Sequence, residues 1–146
     1  MPVDIQAKLL TAIESHSFRR VGGTTLINVD VQVLAASNRD LKEMMRKGDF
    51  REDLYYRLKV VDLDLPPLRE RKEDIPELVG FFVRENNARQ GMNVLEVSPQ
   101  AMAALQSYSW PGNIRELSNA IERAMLFCDG MTIQLGDLPK DISTIV

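Results

Sequence analysis

Three arginines stand where no core needs them. Arg51 and Arg57 lie in Phe50-Arg51-Glu52-Asp53-Leu54-Tyr55-Tyr56-Arg57-Leu58, and Arg115 lies in Trp110-Pro111-Gly112-Asn113-Ile114-Arg115-Glu116-Leu117. A guanidinium is a planar, permanently charged fork whose donors match phosphate oxygens. Phosphoryl transfer needs such donors, because negative charge on those oxygens grows in the transition state. The chain carries a formal charge of -3 with a pI near 5.2, and DNA affinity comes from clustered Lys and Arg. Isolated arginines on an acidic chain therefore point to a bound phosphate rather than to a nucleic-acid surface. Six residues apart, Arg51 and Arg57 would lie roughly 240° apart around a helix, so they cannot serve one buried ion pair on a single face. The bland alternative is that each pairs with Glu52 or Asp53 or lies in solvent, since surface ion pairs are common and weak.

Two other positions could contribute. Asn38 follows a short apolar, largely β-branched run, Val31-Gln32-Val33-Leu34-Ala35-Ala36. An amide at the carboxyl end of a central strand can orient a water against a γ-phosphate, and that end of an open α/β sheet is where ligands bind. An Asn that only caps a turn is the competing reading. Arg115 falls in the first turn of a predicted helix, where a cation opposes the helix dipole at a cost of about 0.3 to 1 kcal/mol. Solvent exposure would make that cost small. His16 has no second His and no Cys nearby, so a metal or nucleophilic role is not expected of it. Cys128, the single cysteine, cannot form an internal disulfide and reads as a small buried thiol closing an apolar stripe. Phe81, Phe82, Met102 and Met125 fit helical core spacing.

The elements that must position these residues follow from periodicity and punctuation. Ile5, Leu9, Leu10 and Ile13 make a helical stripe over Pro2 to Glu14. Phe18 to Val21 and Thr24 to Val29 read as short strands about the Gly22-Gly23 turn. Val31 to Ala36 reads as a strand covered on both faces, Asp40 to Lys47 as a capped helix ended by Gly48, and Glu52 to Leu58 as another helix. Lys59 to Leu65 alternates as a strand that Pro66-Pro67 stops. Beyond Asp74 the strong signals are helical. One helix opens at Asp74-Ile75-Pro76-Glu77 and ends near Gly91, a second opens at Ser98-Pro99, and a third is capped at Asn113 with the stripe Leu117, Ala120, Ile121, Ala124 and Phe127 or Cys128. Leu135 to Pro139 reads as punctuation. The fold class is thus α/β followed by all-α, with residues 1–66 in the first part, 67–146 in the second and a stiff proline elbow between them. At 45% hydrophobic and 27% charged residues, the chain has enough apolar material for one core and an ordinary soluble surface. Its longest apolar run, Leu78 to Val83, is far short of a membrane span, so a cytoplasmic protein is expected.

Taken in order, Phe50 to Leu58, Leu65-Pro66-Pro67-Leu68-Arg69-Glu70-Arg71 and Trp110 to Leu117 resemble the late part of the ATPase domain of bacterial sigma-54-dependent transcription activators. These enhancer-binding proteins are a branch of the AAA+ superfamily of P-loop NTPases, and the resemblance covers nearly the whole chain. It implies a partial AAA+ α/β core followed by a helical lid. Arg51 and Arg57 match arginine fingers that reach in trans into a neighbouring subunit's ATP site. Asn38 matches sensor I, where Ser37 replaces the usual threonine, and Arg115 matches the sensor II arginine of the lid. Ile75 and Ile114 are implied as adenine contacts near the hinge.

Other family parts are missing from the sequence. No glycine is followed by lysine, so G-x-x-x-x-G-K does not occur, and no apolar strand ends in the Asp-Glu pair that would hold magnesium. The GAFTGA loop through which the family touches the sigma factor does not occur either. Met1 to Leu10 resembles the helix that follows the magnesium-binding strand. The expectation is therefore the back half of an ATPase domain. ATP would be its nucleotide, with Mg2+ held by residues outside this stretch. The parent would form a ring and remodel sigma-54 RNA polymerase, and it would reach enhancer DNA through parts not present here. Alone, the chain is expected to be inactive as an ATPase. The competing expectation is a helix-turn-helix-like DNA-binding module over Ser98 to Cys128. Its recognition helix would offer only Arg115 and Arg123 against Glu116 and Glu122, a poor groove reader.

Overall fold

The computed structural model describes residues 1–144. It divides into two compact units, Met1–Leu63 and the residues from Asp64 onward.

The first unit contains α1 (Val3–Ser15), a hairpin of β1 (Ser17–Arg19) and β2 (Leu26–Asn28), α2 (Leu41–Arg46) and α3 (Glu52–Leu58). The strands pair antiparallel with Phe18 opposite Ile27. Gly22 supplies the positive φ of the connecting turn, where Gly23 N–H donates to Arg20 O at 2.9 Å. Asp40 caps α2 by accepting from Glu43 N–H at 3.0 Å, and that bond holds its carboxyl below the usual carboxylate range. Two expected strands do not form. Residues 31–36 and 59–65 lie outside any ladder, and Leu34 is 95% exposed. A strand exists only with a partner for its N–H and C=O groups, and neither segment finds one among the described residues.

The second unit is helical: α4 (Ile75–Gln90), α5 (Pro99–Ser107), α6 (Asn113–Phe127) and α7 (Lys140–Ser143), with single 3-10 turns at Leu68–Glu70, Lys72–Asp74 and Leu135–Asp137. β3 (Glu96–Val97) and β4 (Thr132–Ile133) form a two-residue parallel pair that the sequence does not announce. Helix α4 buries Ile75, Val79, Phe82, Val83 and Asn86, and α6 buries Leu117, Ala120, Ile121, Ala124 and Met125. These i, i+4, i+7 rows pack on one another in one cluster with Leu68, Leu105, Trp110 and Ile133. Each large aliphatic side chain so buried contributes about 1.5 to 3 kcal/mol.

Local chemistry sets the helix ends. Ser98 caps α5 by accepting from Ala101 N–H, with Pro99 in the first turn. Gly91 closes α4 at φ 68°. Asp74 does not cap α4, because its carboxylate is bound by Arg71 Nε at 2.6 Å. Three apolar expectations also change. Phe81 is half exposed on the outer side of α4, Cys128 is only half-buried, and Leu138 of the expected punctuation is a core residue, joined there by Ile142 of α7.

Candidate functional site: two exposed arginine-bearing helix ends

In the first unit the site is the short helix α3 and the turn before it. Arg51 is the extended N-cap residue, φ -76° and ψ 136°, and Tyr55 N–H donates to its carbonyl at 3.1 Å. Its guanidinium is held by Asp53 in a two-point fork, Nε to Oδ1 at 3.0 Å and Nη2 to Oδ2 at 2.6 Å. Asp53 Oδ1 also accepts from Leu54 N–H at 2.8 Å, a favourable place for an anion at a helix start. The Arg51 bond holds the Asp53 carboxyl below its ordinary value, and Asp53 in turn raises that of Arg51. Arg51, Glu52, Asp53 and Tyr56 line an open depression of about 480 Å³.

Arg57 lies in the last turn of α3, exposed, where a cation complements the helix dipole. No carboxylate of the described residues pairs with it; the ion pairs near it are Arg51 with Asp53 and Lys59 with Asp62. Asp62 and then Tyr55 raise the Lys59 ammonium above its usual value. Asn38 is exposed at a bend after residues 31–36, and the neighbouring Ser37 Oγ accepts from Arg39 N–H at 3.1 Å.

The position of α3 depends on a residue that the motif reading passed over. Gln6 of α1 is fully buried, and its carboxamide accepts from Arg51 N–H at 2.8 Å and donates to Asp49 O at 2.9 Å. The signal was available: Gln6 stands at i, i+3, i+4, i+7 with Leu9, Leu10 and Ile13, a polar residue inside an apolar stripe.

In the second unit, Arg115 is exposed in the first turn of α6 with no ion pair to the described residues. The turn that presents it is tightly specified. Trp110 and Asn113 both adopt positive φ, 51° and 53°, a region costly for a bulky residue and mild for Asn. The Trp110 ring offsets that cost: it is fully buried, its Nε1 donates to Leu105 O at 2.8 Å, and Tyr108 packs on it edge to face at 5.0 Å. Burial, followed by the nearby Glu116, raises the Tyr108 phenol. Glu116 reaches back to Gly112 N–H at 2.7 Å, and a Cβ on Gly112 would come within 2.8 Å of the Glu116 Cβ. Glu116 is thereby occupied with the turn and leaves its neighbour Arg115 free. Asn113 does not cap α6. Its Oδ1 accepts instead from Leu68 N–H at 2.8 Å, tying the helix start to the segment after the prolines.

Of the two isoleucines, Ile114 is 41% exposed while Ile75 is at 0% inside the helical core. Helix α6 also gives little support to a groove reader, since Glu122 pairs with Arg89 and Arg123 stacks on the Phe127 ring. Among the described residues no group of three His, Cys, Asp or Glu could hold a metal ion, and no helix is long and apolar enough to cross a membrane.

Comparisons with known proteins agree on what this arrangement resembles. The family described as the AAA+ ATPase lid domain matches residues 69–145, and the Sigma-54 interaction domain matches residues 1–64. The regulatory protein AtoC of Escherichia coli is 48% identical over 142 residues, covering 97% of this chain and 31% of that protein. The nitrogen fixation protein VnfA of Azotobacter vinelandii is 48% identical over 146 residues, covering 100% of this chain and 28% of that protein. The crystal structure of NtrX from Brucella abortus in complex with ATP superimposes with a TM-score of 0.90 at 40% identity, over 97% of this chain and 33% of that one. The chain thus spans between about a fifth and a third of the length of the proteins it matches. It belongs to the AAA+ family of sigma-54-dependent transcription activators and comprises the later part of their ATPase domain together with its lid.

Proposed function

We propose that this chain is the finger-and-lid part of an ATP-hydrolysing module, working within a longer cytoplasmic activator that remodels sigma-54 RNA polymerase from enhancer DNA. The carrying observation is that Arg57 and Arg115 are exposed guanidiniums without a carboxylate partner among the described residues, at the positions the family's motifs match. A charged group left in water beside available acids is poised for a ligand anion, and the planar fork suits phosphate. Relatives add that NtrX of Brucella abortus has been crystallised with ATP and with ADP. The residues present fit part of an ATP site: donors for phosphate and an exposed aliphatic side chain. Triphosphate cradling and Mg2+ binding fall to other residues of the longer protein.

In this reading ATP is the substrate. Arg51 and Arg57 act in trans on a neighbouring subunit's ATP across a ring interface, where each guanidinium stabilises charge growing on the transferred phosphoryl group. Asn38 positions the attacking water, and Arg115 holds phosphate within its own subunit. Ile114 would meet the base directly, whereas the buried Ile75 would act only by fixing the start of α4. Arg51 differs from Arg57 in being clasped by Asp53, so it must exchange that partner for phosphate. The first part of the chain ends near residue 66 and the lid begins at 67.

The test is turnover in a full-length activator carrying this chain. Arg57→Ala is expected to lower kcat by about 10³-fold or more with unchanged thermal unfolding. Undiminished hydrolysis would remove the finger assignment. The 146-residue chain alone is expected to bind nucleotide weakly at most, and tight, magnesium-dependent binding in calorimetry would contradict that.

A further inference from the structure

Gln6 is at 0% exposure, in a unit whose buried apolar side chains among the described residues are only Leu54 and Tyr55. Its carboxamide accepts from Arg51 N–H and donates to Asp49 O and Met1 O, the last at 3.1 Å. A buried amide is tolerated only when so satisfied, and losing any one partner would leave a donor or acceptor unpaired. Two of the three partners flank Phe50, directly before α3. Gln6 therefore holds the backbone of that turn much as a neighbouring strand would, and it does so from α1, a different element.

We propose that Gln6 is a positioning residue for the arginine fingers. It fixes the backbone from which α3 starts, and hence where the guanidiniums of Arg51 and Arg57 begin their reach. This rests on the finger reading given above. An arginine stem is long and flexible, so the accuracy of its head depends on the anchoring of its backbone. Helix α3 is 7 residues long, and a shift at its N-cap carries through to Arg57. No apolar residue at position 6 could provide the same hold, because the groups it grips are a carbonyl and an N–H.

The test again uses the full-length activator. Gln6→Met keeps the shape and removes all three hydrogen bonds. It is expected to lower kcat for ATP hydrolysis about 10²-fold, the loss that a misplacement of about 1 Å can cause. The KM for ATP, governed by each subunit's own pocket, should change by less than about twofold. If Gln6→Met does not fold, Gln6→Glu, which still accepts from Arg51 N–H but lacks both donors, is measured in its place against the same two expectations. Mixing experiments separate positioning from general damage. Arg115→Ala subunits keep sound fingers with a damaged site of their own, and Gln6→Met subunits have the reverse, so mixed assemblies should exceed the summed activity of the two alone. Arg51→Ala mixed with Arg115→Ala is the reference. Recovery in the reference but not with Gln6→Met, or a KM that rises as steeply as kcat falls, overturns the positioning role and leaves the fingers standing. No recovery in either mixture overturns both.

Discussion

The two units solve the same problem differently. The helical unit holds itself together with a contiguous core of buried apolar side chains around Ile75, Trp110, Leu117 and Ile121. The unit before it buries Leu54 and Tyr55 and leaves Leu34, Val60, Val61 and Leu63 open to solvent. Helix α3 supplies both of those buried side chains and is located in addition by polar bonds: Gln6 to the turn before it and Asp53 to Arg51. Hydrophobic packing is non-directional and tolerates small shifts, whereas a hydrogen bond sets a point and a direction. A guanidinium proposed to meet a phosphate gains from the second kind of support. The lid presents Arg115 from a turn that a fully buried indole anchors in the core, with the hydrogen bonds of Glu116 and Asn113 added to that packing.

This contrast can be broken by measurement. The largest effect is expected in turnover: Arg51→Ala should cost about 10³ to 10⁵ in kcat of the full-length protein, with a urea midpoint only slightly lowered, since an exposed ion pair contributes little. A comparable loss of stability would mean that Arg51 serves the fold. Next, Trp110→Ala in the 146-residue chain should destabilise the helical unit by about 3 to 5 kcal/mol, read by urea denaturation; a change below about 1 kcal/mol would show that the turn does not lean on the ring. By contrast, Leu34→Ser should change stability by less than about 0.5 kcal/mol, and the amides of residues 31–36 should exchange with an opening free energy near zero. Protection there equal to that of α6 would erase the difference between the units.

The smallest effect is a titration. Because Asp53 in the folded chain titrates below its unfolded value, its pairing with Arg51 stabilises fully above the unfolded value and is lost as pH falls through the lowered folded one. An NMR titration should place the Asp53 midpoint below the ordinary carboxylate value, and Arg51→Ala should raise it.

Much of the helical unit could be read directly. The row on α6, the extent of α4, the Ser98 cap and the Gly91 terminator follow from spacing and from single-residue preferences that act within one or two turns. The misread elements share a cause. Residues 31–36 and 59–65 have strand composition, but a strand is a relation between segments, and composition cannot say whether a partner is present. Asn113 and Asp74 have cap chemistry, yet Leu68 and Arg71 claim their oxygens. Leu138 and Ile142 look like isolated apolar residues until the core closes over them.

By itself, the order of residues determined the family, the positions of Arg51, Arg57 and Arg115, and the helical character of the second unit, since motifs and periodicity are local properties. Only the tertiary structure decided which arginines are clasped and which are open, that Ile75 is hidden while Ile114 is not, and that a glutamine some 45 residues from Arg51 in sequence grips its backbone. Such pairings join groups distant along the chain, and their energies exist only once folding has removed the water between them.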